Sequence, residues 1–325
     1  MMLEPPTIAL LASPGFRQPE NSPLSALLTV LVPFLTHVCS AKLVAMRTTY
    51  EAAQSAGFLT EYPHWDVLPP WEEGSIATVA ARLVDGDIDW VIYLADPGDL
   101  ISLFPESIAL KRQCVVHGRP FLATVRAASE WCLLQWIAHD PVSAAQHLCR
   151  LDDPAAAATL PSATTLGLVA HDTRKAAMLG YVETWFPLLD QFRLRLSTGT
   201  TGGLLNGQVP ERLGAVPDAL REQVSRQAAR LSGRSTPWTT SYLSGPKGGD
   251  AQIADRVLRE PGATILFFED PHVAREHEAD IQLLERIARL NTYQNACLHD
   301  PVTAQTWAEL WTRALAVGLA PTLKA

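Results

Sequence analysis

The chain has 325 residues, of which 47% are hydrophobic and 18% are charged. This composition is typical of a globular protein and excludes a disordered chain, and the length is sufficient for two domains. The formal net charge of −8 offers no basic surface for a nucleic acid or an anionic membrane. We therefore expect neither of them as a partner.

Cysteine usage and the apolar runs bear on the cellular compartment. The five cysteines form no close pair with the spacing of metal ligands, as is typical of proteins of the reducing cytoplasm. The initial segment MMLEPPTIALLASPGF lacks the basic region of a signal peptide. No run approaches the roughly 18 apolar residues of a membrane span. We expect a cytoplasmic protein.

Short apolar runs recur in the same order in both halves, and helical patterns follow them. The first half contains TIALLAS (7–13), KLVAMRTT (42–49), GDIDWVIYLADP (86–97) and RPFLATV (119–125). The second half contains LGLVAHD (166–172), RLRLSTGTT (193–201), GATILFFEDP (262–271) and QNACLHD (294–300). Strands that alternate with helices in this way predict a parallel sheet with crossover helices in each half.

The predicted architecture is α/β, with two tandem doubly wound, Rossmann-type, three-layer domains whose sheets are parallel. The first domain spans residues 1–151, an Ala/Pro-rich linker spans 152–165, and the second domain spans 166–325. An insertion at about 204–242 contains VPDALREQVSRQAARLSG, which predicts an added helix. Similar strings can also arise by chance between unrelated α/β domains.

Four polar clusters of the second half follow predicted strands, where open parallel sheets bind ligands. They are VAHDTRK (169–175), STGTTGG (197–203), LSGPKGGD (243–250) and FFEDPHVAREHEAD (267–280). Glycine-rich loops with hydroxyl side chains allow backbone N–H and O–H groups to converge on an anion, although most such loops are ordinary turns. Two such loops together with Lys175 predict a phosphate site.

The same clusters contain candidate acid–base groups. Asp250 ends a glycine loop, where a carboxylate can act as a general base or simply cap a helix that starts near Ala251. His171, Asp172, Asp270, His277 and Asp280 are further candidates, each of which is by itself as compatible with a structural role. Their spacing matches no zinc pattern, so we expect no metal.

The motifs VAHDxxK, TGTTG, LSGPxGGD and a strand that ends in Asp-Pro before His-x-x-Asp resemble those of the methylglyoxal synthase family, in the same order, over about residues 166–290. The resemblance implies a lyase that converts dihydroxyacetone phosphate to methylglyoxal and inorganic phosphate without a metal or an organic cofactor. It implies that Asp250 is the base and that His277 donates a hydrogen bond to the carbonyl, with His171, Asp270 and Asp280 lining the site. The implied substrate and phosphate ligands are Lys175, Thr198, Thr200, Thr201, Ser244, Gly245 and Asp172.

The second half departs from the family pattern near its end. CLHDPVTAQ (297–305) stands in place of a Thr-Asn-x-Ala-Thr-Ala-Asp-like stretch. The family also tends to place an arginine near the C-terminus that reaches a neighbouring subunit, whereas only Lys324 is nearby here.

The first half resembles a degenerate second copy. Ser13 stands at the place of His171, Met46 and Arg47 replace the first Thr-Gly of TGTTG, and Ile76 falls at the place of Asp250. The retained residues are Asp96, Thr48 and Thr49, with Glu106 near the place of Asp280. Without a base this copy cannot abstract the proton, so we expect a structural partner or a regulatory pocket.

Two functions remain open from the sequence. A lyase is favoured because His171, Asp250, His277 and Asp280 occur together, and a module that only holds phosphate needs no base. The alternative is a sensing or allosteric module of the same fold, since one fold serves several functions. The resemblance also implies a homo-oligomer, for which we expect a trimer of tandem chains.

Overall fold

The computed structural model describes residues 5–18, 22–99, 104–209, 217–260, 262–272 and 278–324, without the side chains of 278–281. Two five-stranded parallel sheets, each with helices packed against it, form the core of the chain. The predicted α/β class is therefore confirmed. No helix within these described ranges is long and apolar enough to cross a bilayer.

The first sheet has the strand order β3-β2-β1-β4-β5. Its strands are β1 (Thr7–Ala12), β2 (Lys42–Met46), β3 (Trp65–Leu68), β4 (Trp90–Leu94) and β5 (Phe121–Leu122). The helices of this half are α1 (Pro23–His37), α2 (Arg47–Ser55), α3 (Ser75–Val84), α4 (Pro105–His117), α5 (Val125–His139) and α6 (Pro141–His147), followed by strand β6 (Leu148–Arg150).

The second sheet repeats this order as β9-β8-β7-β10-β11. Its strands are β7 (Thr165–Ala170), β8 (Leu194–Ser197), β9 (Thr240–Ser241), β10 (Ala263–Phe268) and β11 (Ala296–Leu298). The helices are α7 (Lys175–Leu189), α8 (Gly199–Leu205), α9 (Asp218–Arg230), α10 (Gly249–Arg259), α11 (Glu278–Leu290) and α12 (Pro301–Val317), followed by strand β12 (Leu319–Leu323).

Continuous apolar runs become the central strands because both faces of a parallel sheet are covered by helices. All six residues of β7 and all six of β10 are buried. The added helix predicted in the insertion is α9. The edge strands β3 and β9, with four and two residues, were not predicted because such short runs carry little pattern.

Two predicted strands end earlier than expected. The runs at 42–49 and 193–201 leave the sheet at Met46 and Ser197, and helices begin at Arg47 and Gly199. Threonine favours strands, so the threonines in both runs suggested longer strands. Packing instead turns the chain into a helix at the carboxyl edge of each sheet.

The two halves share one continuous hydrophobic core. Helix α5 packs against α12, and the C-terminal strand β12 returns to pair antiparallel with β6 of the first half. The edge strands β5 and β11 also lie side by side, where Thr124 Oγ1 donates to the carbonyl of Asn295 at 2.7 Å. No local pattern predicts these long-range contacts.

A buried carboxylate connects the two halves. Glu130 on α5, which is 5% exposed, accepts from the indole Nε1 atoms of Trp307 at 2.6 Å and Trp311 at 2.9 Å. We expect Glu130→Ala to lower the free energy of unfolding by about 3 kcal/mol, because two buried indole donors lose their acceptor. Urea titration measures the loss. Glu309→Ala, which removes the exposed pair with Arg313, is the control, and an equal effect of both variants contradicts the prediction.

Candidate active site

A small pocket of about 60 Å³ lies at the carboxyl ends of β7, β8 and β10. Eight of the sequence-predicted site residues line it: His171, Asp172, Lys175, Thr198, Thr200, Ser244, Gly245 and Asp250. Four apolar residues of the same segments, which were not predicted as ligands, complete its wall: Val169, Ala170, Pro246 and Phe267. The strand order brings these segments together because parallel strands end at the same edge of the sheet.

His171 follows the last residue of β7 and is held by the neighbouring strand. Its backbone N–H donates to the carbonyl of Phe268 at 3.1 Å, and its Nδ1 accepts from the backbone N–H of Asp270 at 2.8 Å. The ring meets the edge of Phe267 with centroids 5.1 Å apart. Because Nδ1 is the acceptor, the neutral imidazole carries its proton on Nε2, which makes Nε2–H a donor.

Lys175 is a buried cation at the first turn of α7. Its side chain is 6% exposed, and its Nζ donates to Oδ1 of Asp172, whose side chain is 78% exposed. Asp270 does not line the pocket. It accepts instead from Thr173 Oγ1 at 2.6 Å and from the backbone N–H of His272 at 3.1 Å, and so holds the two neighbouring loops together.

The threonine loop runs from Thr198, which precedes α8, into the helix. Gly199 N–H donates to the carbonyl of Leu243 at 2.8 Å, which joins this loop to the second glycine loop. Thr198 and Thr200 line the pocket, whereas Thr201 is fully buried and accepts from Thr198 Oγ1 at 3.4 Å. The structure therefore places Thr201 behind Thr198 rather than at the pocket wall.

Asp250 lies in the first turn of α10 and is only 1% exposed. Gly248 precedes the helix with φ +91°, a left-handed conformation that favours glycine, and occupies the N-cap position. The reading of Asp250 as the cap of a helix that starts near Ala251 is therefore wrong. Its carboxylate lies where the helix dipole stabilises a negative charge and reaches the pocket wall.

Gly249, which precedes Asp250, packs directly against the backbone of Leu243. A Cβ atom on Gly249 would lie 1.8 Å from the carbonyl oxygen of Leu243. We expect Gly249→Ala to destabilise the protein by about 3 kcal/mol and to abolish phosphate binding, because the backbone of both loops must shift. Melting temperatures with and without phosphate measure both effects. Gly180→Ala, inside α7 and with the nearest atom 3.6 Å away, is the control: it should leave phosphate binding unchanged and should not lower the melting temperature, because alanine favours a helix more than glycine does.

Two predicted residues cannot be placed in the pocket. His277 lies outside the described residues, and Asp280 lies on α11 with its side chain also outside the described part. Their roles remain predictions from the motif.

A second polar cluster, missed by the motif analysis, lies where β10 and β11 end. Glu269, Glu285 and His299 form the one group within the described ranges whose atoms are close enough to hold a metal ion. Lys111 from α4 enters this group: its Nζ lies 3.1 Å from Oε2 of Glu269 and bonds Oε1 of Glu285. We call these four residues the Lys111 cluster. The sequence separates Lys111 from Glu269 by 158 positions, so no local pattern indicated the contact.

Burial and charge oppose each other in the Lys111 cluster. Burial alone lowers the pKa of Lys111, but the charges of Glu285 and Glu269 outweigh it and raise that pKa above its usual value. Burial alone raises the pKa of Glu269, but Lys111 and His299 lower it to about 2. For His299, burial is outweighed by Cys297 and by the Glu269 carboxylate at 2.7 Å, and the pKa rises to about 10. Lys111, Glu269 and His299 are therefore ionised at neutral pH.

The raised pKa of His299 makes stability depend on pH. In the unfolded chain a histidine titrates near pH 6.5, so the stabilisation is fully present below about pH 6.5 and is lost as the pH rises through about 10. We expect the free energy of unfolding to fall by a few kcal/mol over that range. Urea titrations at intervals from pH 6.5 to 10 measure it. The fall should shrink in His299→Gln, and an identical slope in that variant contradicts the prediction.

Comparison with known proteins identifies the family. No family model matches the chain. A methylglyoxal synthase of Treponema socranskii is 34% identical over 146 residues, which cover 45% of this chain and 78% of that protein. The chain belongs to the methylglyoxal synthase family. A second methylglyoxal synthase, from Leptospira interrogans serovar copenhageni, is 30% identical over 139 residues, or 43% of this chain and 76% of that protein.

The family resemblance inferred from the motifs is thereby confirmed. A crystal structure of methylglyoxal synthase from Elizabethkingia anophelis NUHP1 is 26% identical and covers 46% of this chain and 79% of its own, with a TM-score of 0.31. The family assignment rests on the sequence relatives, since the structural superposition is too loose to compare sites. These matches span less than half of this methylglyoxal synthase-family chain.

Proposed function

We propose that this chain is a lyase that converts dihydroxyacetone phosphate to methylglyoxal and inorganic phosphate, with the active site in its second half. One observation carries the proposal. The almost fully buried carboxylate of Asp250 shares a small pocket with Lys175 and with the hydroxyl-bearing loops at Thr198 and Ser244. A site that only binds phosphate gains nothing from a carboxylate, which repels the anion. A lyase needs both groups.

The chemistry assigns a role to each side of the pocket. Asp250 removes a proton from the hydroxymethyl carbon, and the electron pair moves onto the carbonyl to form an enediolate. The enediolate then expels phosphate as the carbon–oxygen bond breaks, and the resulting enol becomes methylglyoxal. Developing charge on the carbonyl oxygen requires a positioned donor, for which the motif predicts His277, and His171 Nε2–H is a second donor at the pocket wall.

Phosphate is the leaving group in this reaction, so the residues that bind it favour cleavage of the carbon–oxygen bond. Lys175 supplies a buried positive charge, and Thr198, Thr200, Ser244 and the backbone at Gly245 supply donors around the same pocket. The side chain of Asp172 pairs with Lys175, which holds the cation before substrate arrives. We infer that phosphate displaces this contact when it binds.

We further infer that the chain is a tandem duplication, with domains 1–151 and 166–325, whose first copy has lost catalysis. Two local features that recur in both halves support this. Ser13 Oγ accepts from the backbone N–H of Asp96 at 2.7 Å, just as His171 Nδ1 accepts from that of Asp270. Gly74 precedes α3 with φ +86°, as Gly248 precedes α10, and the second residue of α3 is the buried Ile76.

Assay of the purified chain tests the lyase proposal. We expect dihydroxyacetone phosphate to yield methylglyoxal and phosphate in equal amounts, measured by separate colorimetric reactions. If neither product forms while inorganic phosphate raises the melting temperature, the lyase proposal fails and the site is that of a sensor. Sedimentation of the same sample tests the predicted trimer.

A further inference from the structure

Helix α4 of the first half contacts the segment that follows β10 at the two residues that flank Asp270. Lys111 Nζ lies 3.2 Å and 3.1 Å from the two carboxylate oxygens of Glu269. The next residue, Arg112, donates from Nε to the carbonyl of Pro271 at 2.9 Å. Two consecutive residues of the first half therefore fix three consecutive residues beside the pocket of the second half.

This segment in turn orients a ring at the pocket wall. The carbonyl of Phe268 accepts from the backbone of His171, and the N–H of Asp270 donates to His171 Nδ1 at 2.8 Å. Both groups flank Glu269, so the direction of the Asp270 N–H depends on the backbone at Glu269. The side chain of Glu269 is anchored by Lys111 and by His299 at 2.7 Å. The contacts run without a gap from Lys111 to the imidazole.

We propose that Lys111 is a positioning residue of the active site, which holds Glu269 so that the Asp270 N–H keeps His171 in the Nε2–H tautomer. The proposal rests on the proposed function for its effect on turnover, but not for its effect on the ring. The first copy lacks a counterpart of Asp250, and through Lys111 it supports catalysis by the second copy. At metal sites, outer contacts that fix the tautomer of a ligating histidine typically change activity 10–100-fold, and we expect an effect of that size here.

The geometry also indicates why the cation is a lysine. Its ammonium occupies the space between Glu269 and Glu285, the two carboxylates that with His299 would otherwise suit a metal ion. Arg289 lies 3.5 Å from Glu285 on its other side. A lysine from another element compensates these buried charges, and it ties the cluster to the first half.

The test combines Lys111→Met with ¹⁵N spectra of selectively labelled histidine rings, in which His171→Gln assigns the signals. We expect the wild-type His171 signals to be those of the Nε2–H tautomer, and those of Lys111→Met to show a mixture of forms. We expect kcat to fall about tenfold or more with KM changed less than about threefold, because the ring acts on the transition state. Lys42→Met is the matched control: Lys42 pairs with Asp66 at 2.9 Å but is half-exposed, and neither the ring nor kcat should change.

Loss of a buried partner can itself prevent folding, because it leaves the opposite charge buried and unpaired. If Lys111→Met does not fold, the double variant Lys111→Met/Glu285→Met replaces the ion pair by apolar chains of similar length and decides the question. A folded variant with unchanged His171 signals overturns the proposal. A wild type without lyase activity overturns the proposed function alone, because the ring spectra still report on Lys111.

Discussion

Asp250→Asn should lower kcat about 100- to 10,000-fold while inorganic phosphate still binds. General bases contribute roughly 10²–10⁴-fold to proton abstraction, and asparagine cannot accept the proton although it has almost the same shape. Asp250 is 1% exposed in the first turn of α10. A carboxylate from the solvent therefore cannot easily act as the base in its place. Initial rates of methylglyoxal release measure the loss, and the phosphate-induced shift in melting temperature measures binding.

The control for this substitution lies on the same helix. Asp255→Asn makes the same chemical change at an exposed position, where Asp255 pairs with Arg259 at 3.0 Å. It should retain wild-type turnover, because exposed pairs within a helix contribute little. Turnover by Asp250→Asn within tenfold of wild type would remove Asp250 from the role of base.

Residues 159–325 expressed alone should fail to fold. Without the first half, Trp307 and Trp311 lose the acceptor Glu130, and the carboxylates of Glu269 and Glu285 lose Lys111. Breaking one buried ion pair typically costs 3–5 kcal/mol, and a whole domain is stable by only about 5–15 kcal/mol. Circular dichroism should therefore show no cooperative melting.

A split chain distinguishes loss of the first half from loss of the connection. Ala157 and Ala158 are exposed, so separate chains 1–157 and 158–325 interrupt only the short 3-10 helix Pro154–Thr159 and retain all residues of both halves. Co-expressed, they should copurify and melt cooperatively. Cooperative melting of 159–325 without the first half would show instead that the shared core is dispensable.

Local sequence patterns predict the central strands of both sheets and most of the segments that line the pocket. Central strands such as β7 and β10 are continuous apolar runs because both of their faces are buried, and this pattern is local. The motif residues from His171 to Asp250 meet because each follows a strand, and parallel strands end at one edge of a sheet. Local patterns were therefore sufficient to predict the fold class, and together with the family resemblance they predicted eight residues that line the pocket.

Tertiary structure decided what the local patterns left open. It ended the β2 and β8 strands before their threonines, placed Thr201 behind the pocket, and made Gly248 rather than Asp250 the cap of α10. It also brought Lys111 to Glu269 and Glu130 to the two tryptophans. The reason is physical: strand and helix periodicity arise from neighbours within a few residues, whereas buried charges are paired by whichever distant side chain the packing of the two halves brings within reach.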